Sequence, residues 1–139
     1  MLRSGISGNM ATAKKKASKK GFVDFEPTPK MSTYLLAFVI GEMQHKEVVT
    51  KDGVKVRVWA TETHEAKCLD FGLDVAKRAI EFFNDYYGIP YPLAKSDQVA
   101  LPDFSSAAME NWGLITYREP FILADPETAT QSNRETIAM

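Results

Sequence analysis

The sequence predicts an α+β chain in which several short strands surround one long helix. Three observations carry that class. Ser32 to Gly41, reading STYLLAFVIG, is a continuous run of aromatic, aliphatic and β-branched residues. Lys55 to Thr61 alternates apolar and polar residues with the period of a strand. Between about Glu65 and Tyr87, apolar residues recur at helical spacing. The chain has 139 residues, of which 45% are hydrophobic and 11% aromatic, so it can bury a core and does not have the composition of a disordered segment.

Met1 to Lys20 holds six bases (Arg3, Lys14, Lys15, Lys16, Lys19, Lys20) and no acid. It reads as a basic, solvated segment, and it lacks the interleaved aromatics that a nucleic-acid-binding tail would need. The remaining eleven bases face eighteen acids, a balance of −7 that suits a cationic ligand better than nucleic acid. Phe22 to Glu26 alternates like a strand before Pro27 and Pro29 break it. Ser32 to Gly41 predicts a strand buried on both faces, and Glu42 to Thr50 a polar connection. Lys51-Asp52-Gly53 is a tight-turn signal. The strand that follows, Lys55 to Thr61, turns Val54, Val56, Val58 and Ala60 to one face and Lys55, Arg57 and Trp59 to the other.

The helix has two apolar rows, Leu69-Leu73-Ala76-Ile80-Phe83-Tyr87 and Phe71-Val75-Ala79-Phe82-Tyr86, and only a narrow polar stripe. Such a helix is expected to be covered on more than one side. Gly88 and Pro90 end it. Gln98 to Ala100 predicts a short strand, and Leu114 to Tyr117 another. Near the end, Ser132 with Glu135 three residues on predicts a capping box that opens a second helix.

The chemistry is sparse. His45 and His64 have no partner at i+3 or i+4, so neither belongs to a local zinc pair, and both read as surface residues. Cys68, the single cysteine, reads as a packed thiol in a reducing compartment. No apolar run is long enough to cross a membrane and no secretory signal is visible, so the expected location is cytoplasmic. No phosphate-binding glycine loop is present.

The informative stretch is Leu101 to Glu119, LPDFSSAAMENWGLITYRE. Small residues precede an exposed carboxylate, Glu110, that could hold a substrate ammonium group. A unit pair ~4 Å apart at an effective dielectric near 20 interacts by roughly 4 kcal/mol before desolvation is subtracted. An extended peptide could pair alongside as an added strand. A solvated carboxylate at a strand end is the plainer reading of the same residues.

Ala107-Ala108-Met109-Glu110-Asn111 resembles the Gly-Ala-Met-Glu-Asn motif of the M1 (gluzincin) zinc aminopeptidases, most like the bacterial aminopeptidase N type. MSTYLLAF, KDGVKVRVWAT and LDFGLDVAKRAIEFFNDYYGIPYPL add matching blocks in order, covering most of Phe22 to Met139. Met1 to Met10 could be the tail of a preceding strand in the same family. The resemblance implies that residues 21–47 end an N-terminal β-domain and that residues 48–139 open a thermolysin-like catalytic domain. The chain is then an internal piece that stops just before the His-Glu-x-x-His zinc helix. Glu110 would bind the substrate's free α-amino group, Ala107 and Ala108 its backbone, and Met109 its first side chain, with Asn111 completing the set and, with Trp112, supporting the loop. Tyr117, Arg118 and Glu119 would be structural.

Three departures matter. The upstream acidic residue that helps grip the amine in this family would lie before Met1, which leaves the anchor incomplete in this chain. Ala107 replaces the usual glycine, at a cost of roughly 1 kcal/mol if that position needs a positive φ. The zinc ligands are absent, so the chain alone is expected to bind no metal and to be inactive, with zinc supplied in the parent enzyme. The implied partners are peptides with a free N-terminus and the remainder of the catalytic domain; nucleic acid and membrane are not expected. A non-catalytic peptide-binding module is the alternative.

Overall fold

The computed structural model describes the backbone of Ser4–Gly8 and residues 27–139. The basic run Lys14 to Lys20 and the alternating segment Phe22 to Glu26 lie outside the described residues. In chain order the strands are β1 (Ser4–Gly8), β2 (Phe38–Val49), β3 (Lys55–Thr61), β4 (Lys95–Leu101), β5 (Ala108–Met109) and β6 (Leu114–Arg118). The helices are α1 (Asp70–Tyr87) and α2 (Gln131–Ala138). One mixed sheet runs β1-β2-β3-β4-β6-β5. β3, β4 and β6 are mutually parallel, and β1, β2 and β5 join antiparallel to their neighbours. α1 connects β3 to β4, the kind of crossover a parallel pair requires. The α+β class is observed.

Lys55 to Thr61 is a strand, and the turn before it carries Gly53 at φ 86°. α1 ends where Gly88 takes the left-handed conformation at φ 64°, accessible to glycine without a Cβ clash. Its opening turn, Ala66–Leu69, is 3-10 rather than α.

Four expectations need correction. Ser32 to Gly41 is not a strand buried on both faces: Thr33–Leu35 is a 3-10 turn, and Phe38 and Ile40 are 71% and 66% exposed. The apolar run presumed a covering layer that the described residues do not supply. Nor is Glu42 to Thr50 a connection. β2 continues to Val49 because its first half pairs with β1 and its second half with β3, so backbone bonding outweighs its polar composition.

Ser4–Gly8 is likewise a paired strand and not solvated chain; a ladder needs backbone groups, not apolar side chains. Finally, α2 is capped by Thr130 with Asn133 rather than by Ser132 with Glu135. Asn133 N–H donates to Thr130 Oγ1 at 3.2 Å and Thr130 N–H to Asn133 Oδ1 at 3.3 Å. The extended Thr130 backbone sets the helix start ahead of Ser132, whose carbonyl accepts from the Thr136 hydroxyl within the helix.

The sheet is buried on both sides at its centre. On one face Val56, Val58, Ala60 and Ala100 pack with Leu69 and Leu73 of the helical segment and with Ile122, Ala124 and Ile137. On the other, Trp59, Val99 and Leu114 pack with Ala37, Val39, Met43 and Leu101. Trp59 therefore belongs to a core and not to a solvent face. β2 crosses Glu47 without interruption, so residues on either side of that position share one sheet.

Candidate functional site

The excursion from β4 to β6 carries the motif. Arg118, at the end of β6, ties down its first part: Nε donates to the Phe104 carbonyl at 2.9 Å, and Nη2 donates to the Ser105 carbonyl. The Arg118 N–H donates to the Ala107 carbonyl at 3.0 Å. β5 then forms the edge of the sheet, with Ala108 opposite Tyr117 and Met109 opposite Thr116. Since the Ala107 carbonyl is bonded inward, the alternation of an antiparallel ladder turns the N–H and C=O of Ala108 toward the open edge. Ala107 does not adopt a positive φ. The alanine in place of glycine is therefore accommodated without backbone strain.

Met109 is half-buried and Ala107, Ala108 and Glu110 are exposed. The Glu110 carboxylate makes no hydrogen bond or ion pair with another described residue. Asn111 is different. It is 6% exposed, and its Nδ2 donates to Thr116 Oγ1 at 3.2 Å and to the Met109 carbonyl at 3.4 Å. Its side chain supports the loop from inside. The Asn111 carbonyl accepts from Leu114 N–H at 2.9 Å, closing a turn whose third residue, Gly113, has φ 74°.

Behind this turn lies a charge cluster that a reading by composition passes over. Asp97 of β4 is fully buried and accepts from Arg57 Nε at 2.6 Å and Nη2 at 3.1 Å, from Trp59 Nε1 at 3.2 Å and from Lys95 Nζ at 2.8 Å. Lys95, only 4% exposed, also donates to the Gly113 carbonyl at 2.8 Å, and the Asp97 N–H donates to the same oxygen at 3.1 Å. Burial pushes the Lys95 ammonium below its usual range, with Asp97 opposing that shift. The signal was present in Lys95-Ser96-Asp97, where two charges two residues apart share one strand face.

The two histidines are more engaged than expected. The His45 ring stacks on Trp59 with centroids 4.1 Å apart, and burial, then Arg57, hold its imidazole below the ordinary range. His64 Nε2 lies 2.7 Å from Glu119 Oε1, and its carbonyl accepts from Gln44 Nε2. His45 is an exposed residue, as expected, with its ring stacked on Trp59, whereas His64 is half-buried. Cys68 is buried, and desolvation pushes its thiol up, as a packed thiol requires. Among the described residues no group of three or more His, Cys, Asp or Glu is placed to hold a metal. No helix there is long and apolar enough to cross a membrane. Two cavities lie away from the motif, one lined by Lys67, Phe71, Pro126 and Arg134 and another by Val75, Ala79 and Phe83.

Comparison with known proteins assigns the chain. The peptidase family M1 domain matches residues 71–139. Aminopeptidase N of Lactococcus lactis subsp. cremoris is 59% identical over 114 residues, and aminopeptidase N of Lactobacillus helveticus 53% identical over 120. The matches cover 82% and 86% of this chain but 14% of each relative's length. Human aminopeptidase N is 48% identical over 115 residues, covering 82% of this chain and 12% of that protein. On these matches the chain belongs to peptidase family M1.

Proposed function

We propose that this chain forms the substrate N-terminus recognition part of an aminopeptidase that releases N-terminal residues from peptides. Glu110 receives the free α-ammonium group, the outward backbone of Ala108 pairs with the substrate backbone as an added strand, Ala107 flanks it, and Met109 contacts the first side chain. The observation that carries this reading is the exposed Glu110 carboxylate, unpartnered among the described residues, at the end of an edge strand whose outer hydrogen-bonding groups no described strand pairs. Family membership and the aminopeptidase N relatives support it. Met109 suits a pocket that must adapt, because a thioether on an unbranched chain fits many shapes. Asn111 contributes by holding the loop.

Zinc, which the family resemblance implies for the whole protein, finds no ligand set among the described residues, so these residues are assigned binding and orientation only. In water-exposed surroundings the Glu110–ammonium pair is screened, and its main effect is to fix the register of the peptide's free end. The test is Glu110→Gln in the full-length protein, comparing an alanine anilide with its 2-hydroxypropanoyl counterpart. Losing a hydrogen bond to a charged group costs about 1.5–3 kcal/mol, so the preference for the amine should fall by about ten- to a hundredfold, mainly through KM. An unchanged preference would exclude Glu110 as the amine anchor.

A further inference from the structure

We infer that Lys95 is a positioning residue for Glu110, acting through the Gly113 carbonyl. The inference rests on the amine-anchor reading of Glu110 and adds the device that holds that anchor in place.

Arg118 holds the lead-in to the motif and Asn111 holds the loop from inside, but the sheet itself holds little of it. β5 contributes only Ala108 and Met109 to the sheet, and Glu110 follows directly. Three residues later Gly113 is fixed by two donors from β4, the Asp97 N–H at 3.1 Å and Lys95 Nζ at 2.8 Å. The anchor thus sits on a short span whose far side is held twice, by the Asn111 side chain on Thr116 and by the bonds from β4 to Gly113. A carbonyl with two acceptor sites is filled by these two donors, which leaves the turn one position relative to β4. The backbone N–H belongs to the sheet and tolerates small rotations of the turn. The ammonium group, held from the other side by Asp97 at 2.8 Å, removes that freedom.

The choice of residue supports a positioning role. A buried ion pair is a poor way to gain stability, because desolvating each charge offsets most of the attraction, and an apolar replacement is often neutral. Here the charge lies on a network that is itself rigid: Arg57 grips Asp97 through two nitrogens, Trp59 adds a third donor, and the His45 ring covers Trp59. The network touches the excursion at the Gly113 carbonyl, three residues after the residue whose placement decides where a peptide's free end can lie. Misplacing a binding group by a fraction of its contact distance weakens binding without altering any reacting group.

The experiment is a cycle of Lys95→Met and Glu110→Gln in the full-length protein, with thermal melts alongside. Steady-state constants are read for an alanine anilide and its 2-hydroxypropanoyl counterpart. Lys95→Met should raise KM for the amine substrate by about tenfold with kcat little changed, and lower the preference for the amine in step. In the Glu110→Gln background the same substitution should add little, because the anchor it positions is gone. Additive effects, or equal losses on both substrates, would mark Lys95 as structural and overturn the inference. If Glu110→Gln itself leaves the amine preference intact, the anchor reading fails and takes this inference with it. Lys95→Gln, which keeps a neutral donor, replaces the methionine variant if that one does not fold; failure of both to fold also overturns the positioning role.

Discussion

The Tyr117 hydroxyl donates to Gln98 Oε1 at 3.0 Å, beneath the strand that carries Ala108. Desolvation raises its pKa from 10.0 to about 12. A phenol whose folded pKa exceeds its unfolded value adds stability in full below pH 10 and loses it as pH climbs toward 12. Folding stability should therefore fall across that interval, and Tyr117→Phe should flatten the fall, as followed by denaturant unfolding with tyrosinate absorbance. At this scale the sequence was readable where a residue's role depends on its neighbours in the chain. Glu110 and Met109 stand out in the motif itself. Asp97 does not, because its four donors come from Arg57, Trp59 and Lys95, and the first two lie on another strand. Asn111 was legible as a motif residue, but its inward direction depends on Thr116 across the turn.

Elements were legible where the local pattern and the packing agree. α1 is such a case. Its two apolar rows and its Gly88 stop need no distant information. β2 is the opposite case, since its course follows from partners on both sides and not from its own hydrophobicity. The contact between α1 and the segment after β6 was also invisible in the pattern. A Cβ on Gly72 would meet the Ile122 carbonyl and lie 2.8 Å from its Cδ1, so helix and segment approach as closely as backbone allows. Gly72→Ala should gain helix propensity and still destabilise the fold by about 1–3 kcal/mol, because backbone must shift to make room. Urea unfolding measures the balance; a more stable variant would show that the two elements separate freely.

At the scale of the molecule, α1 presents Phe82, Phe83, Tyr86 and Tyr87 to the exterior at 49–70% exposure, with Phe82 stacked on Tyr86 and Phe83 on Tyr87. The breadth of the apolar face was plain in the sequence, and among the described residues these four rings stay exposed. Among the described residues no group of three or more His, Cys, Asp or Glu is placed to hold a metal. The 139-residue chain expressed by itself should show no metal-dependent release of alanine from an alanine anilide. Activity that co-purifies with the chain and is abolished by Glu110→Gln would contradict that expectation.

The long second strand has a mechanical consequence. Its leading half is laced to β1 and its trailing half to β3, so it acts as a splice between those two strands. Tension applied to the first strand reaches the third as shear along a continuous backbone, with no hinge between them. A cut between Glu42 and Met43 would sever that load path, and β1 would come away with its half of the splice, whereas a cut at Glu47 would leave Met43 to Lys46 still paired with β3.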